Sequence, residues 1–177
     1  RPLMIRLRRG KFAGVTSVPI GRDVTIAPRG AAKSTLVSLV FPIHALIHEL
    51  DPYIVLVSAT QRQANRRLTN LRAALLDNVD LKLVYGEDKC TPARRSSRSL
   101  ELGEARVDAF SAGAELRGIN HGPWRPTWII LDDVERGDRV GAAAYRDHLV
   151  GWFNEVIENL GNGYTNLDVV GTLLHPD

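Results

Sequence analysis

The sequence predicts an α/β fold: a mainly parallel sheet flanked by helices, with a β-hairpin inserted. Three observations predict it. Apolar, β-branched runs of strand length alternate with amphipathic stretches of helix length along the 177 residues. Two of these runs, Tyr53-Ile54-Val55-Leu56-Val57-Ser58 and Trp128-Ile129-Ile130-Leu131-Asp132, are apolar almost throughout, as expected of strands buried on both faces. Polar, chemistry-bearing residues follow the strands: Lys33-Ser34, Ser58-Ala59-Thr60, Asp132-Asp133 and Gly171-Thr172. In an open parallel sheet that end of the strands is where ligands sit.

Each element has its own warrant. Val24-Thr25-Ile26-Ala27 reads as the first strand, and a helix is expected over 33–49, kinked or split by Pro42. After the strand at 53–58, a helix over 60–77 carries Ala64, Leu68, Leu71 and Leu75 on one face. Residues 86–97 read as a polar, basic loop. Ser99-Leu100-Glu101-Leu102-Gly103 and Ala105-Arg106-Val107-Asp108-Ala109-Phe110 alternate about a turn, the pattern of a hairpin. A strand over 127–132 follows. Tyr145, Leu149, Trp152, Val156 and Leu160 then mark an amphipathic helix that Gly161 or Gly163 can end, and Leu167-Asp168-Val169-Val170-Gly171 is a last strand.

Composition bounds the reading. The length suits a single domain over 1–177. Hydrophobic content of 44% and charged content of 24% are those of an ordinary globule, and the net charge of +3 excludes a polycation. The arginines are nevertheless clustered, at Arg62, Arg66 and Arg67 and at Arg94, Arg95 and Arg98, which matters more for a nucleic-acid face than the total. One cysteine, Cys90, excludes an internal disulfide. No apolar run approaches the length needed to cross a bilayer. His44 and His48 are four apart, but no third zinc ligand accompanies them, and a helix face is the simpler reading.

Ala27-Pro28-Arg29-Gly30-Ala31-Ala32-Lys33-Ser34-Thr35 has the layout of a phosphate-binding loop, with a strand before it and a helix after it. Backbone N–H groups of such a turn face phosphate oxygens, and the helix N-terminus adds partial positive charge. Lys33 would reach the β- and γ-phosphates of ATP and the Ser34 hydroxyl would hold Mg2+. The standard pattern has glycine where this chain has Ala27 and Ala32. Asp132, ending an apolar strand, is the matching Mg2+ ligand. Asp133 and Glu135 compete for the task of orienting water, with Asp133 favoured by position.

Taken together, the arginine-bearing loop, Ser58-Ala59-Thr60-Gln61-Arg62-Gln63-Ala64, the run Leu116-Arg117-Gly118-Ile119-Asn120-His121-Gly122-Pro123-Trp124-Arg125-Pro126 and Gly171-Thr172-Leu173-Leu174-His175-Pro176-Asp177 resemble the large terminase subunit of tailed bacteriophages. The resemblance implies a P-loop NTPase of the additional-strand, catalytic-glutamate type. It implies ATP hydrolysis that drives double-stranded DNA into a procapsid, by a ring of subunits on the portal protein, with a small terminase subunit as partner, in the host cytoplasm and without a membrane. The family's nuclease domain would follow this segment, so the chain is expected to be the motor domain alone. Arg29 would contact the γ-phosphate in its own subunit. Arg117, or second to it Arg125, would be offered to a neighbour's ATP as an arginine finger. Thr172 would sense the γ-phosphate. The family places glutamate after the magnesium aspartate, where this chain has Asp133. A helicase-like translocase and a non-hydrolysing nucleotide-binding module are the alternatives.

Overall fold

The computed structural model describes residues 21–139 and 141–172. The expectations for Leu173, Leu174, His175, Pro176 and Asp177 lie outside them.

Seven strands form one sheet: β1 (Arg22–Ile26), β2 (Tyr53–Ser58), β3 (Arg94–Arg95), β4 (Ser99–Leu102), β5 (Ala105–Ser111), β6 (Trp128–Asp132) and β7 (Asn166–Gly171). Their order across the sheet is β1-β7-β6-β2-β5-β4-β3. The pairs β1–β7, β7–β6, β6–β2 and β2–β5 are parallel, and β5–β4–β3 is an antiparallel meander at one edge. β7 therefore lies between β1 and β6.

Strand alternation sorts the core into two layers. Ile54 and Leu56 of β2, with Trp128 and Ile130 of β6, pack with Val37, Leu46, Leu68 and Leu71 on one side. Val55 and Val57, with Ile129 and Leu131, pack with Leu116, Trp152 and Leu160 on the other. The four apolar residues expected on the helix over 60–77 are all fully buried on α3 (Gln61–Asp77). Burying each of the three leucines contributes about 1.5–3 kcal/mol.

Pro42 does split its helix, in a specific way. α1 (Lys33–Thr35) runs into a π-helical turn, Leu36–Val40, and then into α2 (Phe41–Ile47) with Pro42 in its first turn. Proline has no N–H to donate to the carbonyl four residues back. The wider turn shifts the ladder before the proline arrives, and Phe41 donates to the Leu36 carbonyl five residues back. The second long helix is likewise composite, α6 (Ala143–Trp152) followed by a π-helical turn, Phe153–Ile157.

The segment read as a basic loop is more ordered than its composition indicates. α4 (Val79–Tyr85) precedes it, and α5 (Glu87–Cys90) and β3 occupy part of it. Asn78 caps α4 by accepting from the Leu81 N–H at 3.0 Å. Cys90 is fully buried in the first core layer. Among the described residues no helix is long and apolar enough to cross a membrane.

Candidate nucleotide site at the carboxyl ends of the parallel strands

The turn after β1 supplies the first part of the site. Gly30 has φ +85° and Ala32 φ +53°. The left-handed backbone at Ala32, immediately before Lys33, explains why the standard pattern prefers glycine there: an L-residue carries a steric cost of about 1–2 kcal/mol in that conformation. Alanine holds the same turn at that cost. Its reversal aims Lys33 inward, where it is 8% exposed. The Lys33 Nζ donates to the Thr172 hydroxyl at 2.5 Å, just beyond the end of β7.

Asp132 is the centre of the arrangement. It ends β6, is 2% exposed, and accepts from two hydroxyls of the loop helix, Ser34 at Oδ1 and Ser38 at Oδ2, each at 2.7 Å. By sequence Ser38 reads only as part of an apolar helix. Its signal is its position four residues after Ser34, hence on the same helix face. The residue after Asp132, Asp133, turns back at φ +48° and is held at both backbone ends. Its N–H donates to Val170 O at 2.9 Å and its carbonyl accepts from the Ala59 N–H at 3.2 Å. The carboxylate of Asp133 is 41% exposed on a fixed backbone.

Arg67 is the site residue that sequence reasoning misses. With Arg62 and Arg66 it reads as a DNA contact or a solvated face. The structure separates it from them: Arg62 and Arg66 are exposed, while Arg67 reaches from α3 to Asp132 and Ser34. Its Nε lies 2.8 Å from Asp132 Oδ2, and its Nη2 is 3.9 Å from Asp133 Oδ2 and donates to Ser34 Oγ at 3.2 Å. Spacing holds the clue, since Arg67 is three residues after Ala64 and four before Leu71, at the border of the buried stripe.

Ser58 Oγ, also buried, has no hydrogen-bond partner. β2 and β6 are paired from Ile54↔Trp128 to Val57↔Leu131, so Ser58 is one step beyond, beside Asp132. Both residues continue the alternation of Ile54, Leu56, Trp128 and Ile130, so both face the layer that holds the loop helix and α3.

The other expected site residues lie apart from this cluster. Glu135 is exposed and takes part in no hydrogen bond or ion pair among the described residues, and the same holds for Arg29. Arg117 is 65% exposed and 3.9 Å from Glu155, an exposed ion pair of the kind that contributes little. Arg125 is exposed beyond the His121–Trp124 bridge. Pro28, Gly30, Ala31, Ala32 and Thr35 line the loop as the sequence places them, Ala31 N–H reaching Pro28 O at 3.3 Å. Trp128 packs in the core, its indole N–H donating to Asp168 at 2.6 Å.

Ser34 and Asp132 are hydrogen-bonded to each other, Asp133 follows Asp132 in the chain, and the unpartnered Ser58 lies beside Asp132 by strand register. Such an all-oxygen donor set suits a hard divalent cation such as Mg2+. No family model matches this sequence, and no curated protein matches it.

Proposed function

We propose that the chain is a P-loop ATPase of the additional-strand class and the motor domain of a large terminase subunit, hydrolysing ATP to move double-stranded DNA into a procapsid. The observation that carries the nucleotide reading is the Ser34–Asp132 hydrogen bond. An ordinary strand-to-helix connection has no need to bring its first hydroxyl onto a carboxylate two strands away. A phosphate loop with a metal-binding aspartate does. The position of β7 between β1 and β6 supports the class.

In this reading the loop N–H groups and Lys33 bind the phosphates, with Lys33 acting as a point charge on the β- and γ-phosphates. Thr172 orients the lysine amine and marks the γ-phosphate end of the site. Ser34 and Asp132 would hold Mg2+, which when bound would neutralise phosphate charge as a Lewis acid. Asp133, exposed on a backbone pinned at both ends, orients the attacking water. Arg29, in the loop, turns to the γ-phosphate when nucleotide is present.

The motor assignment rests on the family resemblance and on the exposed arginines. Arg117 and Arg125 are open to a neighbouring subunit in a ring. Arg94, Arg95 and Arg98 are open to DNA. The portal protein and a small terminase subunit are the proposed assembly partners, in the host cytoplasm.

The test is binding of a fluorescent ATP analogue, together with phosphate release with and without double-stranded DNA. Wild-type protein should bind the analogue in the presence of Mg2+ and release phosphate faster with DNA. Lys33→Ala should lose hydrolysis while keeping its circular dichroism. Full turnover in Lys33→Ala would sink the assignment. Binding without turnover under every condition would leave a nucleotide-binding module instead.

A further inference from the structure

We propose that Arg67 is the resident counter-cation of the nucleotide site: it holds Asp132 while no nucleotide is bound and yields that carboxylate to the metal only when phosphates arrive to receive its own charge. The inference rests on the nucleotide reading above and adds an order of events to it.

The charges motivate it. Arg67 lies against Asp132 and Asp133, and Lys33 precedes the Ser34 that bonds Asp132, so two side-chain cations stand with two carboxylates and their formal charges cancel. The guanidinium lies against Ser34, Asp132 and Asp133, the same three groups that would serve a metal. A divalent cation entering alone must push a guanidinium off a buried carboxylate and leave an uncompensated positive excess. A metal–nucleotide complex carries net negative charge and gives the guanidinium phosphate oxygens as new partners. Exchange is then close to charge-balanced.

Two features make Arg67 displaceable rather than a fixed strut. Its contact with Asp132 is close but poorly aligned: Nε is 2.8 Å from the carboxylate, yet this buried N–H finds no hydrogen-bond acceptor within good geometry. A structural Arg–Asp pair is normally a two-pronged fork. The side chain is also 31% exposed, so it is not enclosed by the packing around it. Ser58 is the complementary feature. Its buried hydroxyl beside Asp132 has no partner while Arg67 is in place, and a site filled by hydrated metal would satisfy it.

Manganese alone is the probe, followed by the EPR signal of the free ion, with no nucleotide and no turnover in the assay. Wild-type protein should bind Mn2+ weakly. Arg67→Gln should bind it at least about tenfold more tightly, because a like charge some 4 Å away is removed. Arg67→Lys should stay near wild type, and adding Asp132→Asn to Arg67→Gln should abolish the gain. Unchanged or weaker Mn2+ binding in a folded Arg67→Gln protein would overturn the proposal. A second measurement needs no variant. The wild-type melting temperature should not move with Mn2+ alone and should rise with Mn2+ plus a non-hydrolysable ATP analogue. An equal rise with Mn2+ alone would overturn the proposal as surely.

The two readings fail separately. If the analogue binds but Arg67→Gln gains no Mn2+, the counter-cation role fails alone. If no nucleotide binds wild type, the ATPase reading fails, and the exchange proposed here fails with it even where the variant gains metal.

Discussion

At the residue scale, the question the proposed ATPase raises is which carboxylate would aim water. Asp133 and Glu135 are two positions apart, but the backbone treats them differently. Asp133 is pinned through its N–H to Val170 and its carbonyl to Ala59, in a left-handed turn, with its carboxylate partly exposed next to Asp132. Glu135 is exposed, with no bond to hold it among the described residues. A general base must be within reach of the water and held there. Asp133→Asn should therefore retain ATP binding and lose turnover by about 10²-fold or more, while Glu135→Gln should stay within a few fold of wild type. Single-turnover phosphate release checks both, and the opposite ranking would transfer the role to Glu135.

At the scale of elements, α2 and α4 meet through aromatic rings. His44 and His48 lie on successive turns with ring centroids 4.5 Å apart, and His48 meets the Tyr85 ring edge-on at 5.3 Å. Burial, and then the nearby His48, hold the His44 imidazole below its ordinary value. The folded protein thus resists a proton that the unfolded chain accepts at about pH 6.5. His44 contributes stability that is present above that pH and is lost as pH falls toward its depressed folded value. Melting temperature should fall on acidification below about pH 6.5, and His44→Gln should flatten that part of the profile. An unchanged slope in the variant would refute the role of His44.

The meander β3–β4–β5 shows how an arginine-rich segment becomes a surface. Ser96 accepts from the Arg98 and Ser99 N–H groups at 3.1 and 2.9 Å, and Arg72 of α3 donates to the Ser96 carbonyl. The turn is tied down while Arg94, Arg95 and Arg98 remain exposed. If this is the DNA face, neutralising all three should weaken binding to duplex DNA and reduce the salt slope by about 0.9 for each phosphate no longer neutralised. A fluorescence-anisotropy salt titration measures this. An unchanged slope would make the turn an ordinary solvated edge.

At the scale of the whole molecule, the proposed motor is incomplete as one copy. Arg117 is exposed and pairs only weakly with Glu155, so nothing holds it for its own site. An arginine finger supplied in trans acts only when a neighbour brings it within hydrogen-bond reach of the γ-phosphate, and such a finger is worth about 10³–10⁵ in rate. Specific ATPase activity should therefore rise with protein concentration. Arg117→Ala should remove the rise with nucleotide affinity nearly unchanged, and mixing it with Lys33→Ala should restore part of the activity. Concentration-independent turnover with an inactive mixture would make Arg117 a residue of its own subunit or of the surface.

What the sequence determined by itself was the alternation of elements, the two fully buried strands, the inward stripe of α3, and the gathering of Lys33, Asp132, Asp133 and Thr172 at one end of the sheet. All of these follow from periodicity and chain direction, which are local. Sequence could not order the strands, because which strand pairs with which depends on contacts far apart in the chain. Only the fold puts β7 between β1 and β6, and with it Thr172 beside Lys33. Only the fold decides that α4 and α5 form next to a basic segment, since their formation rests on a cap at Asn78 and the burial of Cys90 rather than on periodicity. The same holds for Ser38 and Arg67. Their composition and spacing fit a helix interior and a solvated helix face. The buried carboxylate of Asp132 decided otherwise: a charge out of water needs partners, and tertiary packing determines which hydroxyls and which arginine are close enough to be those partners.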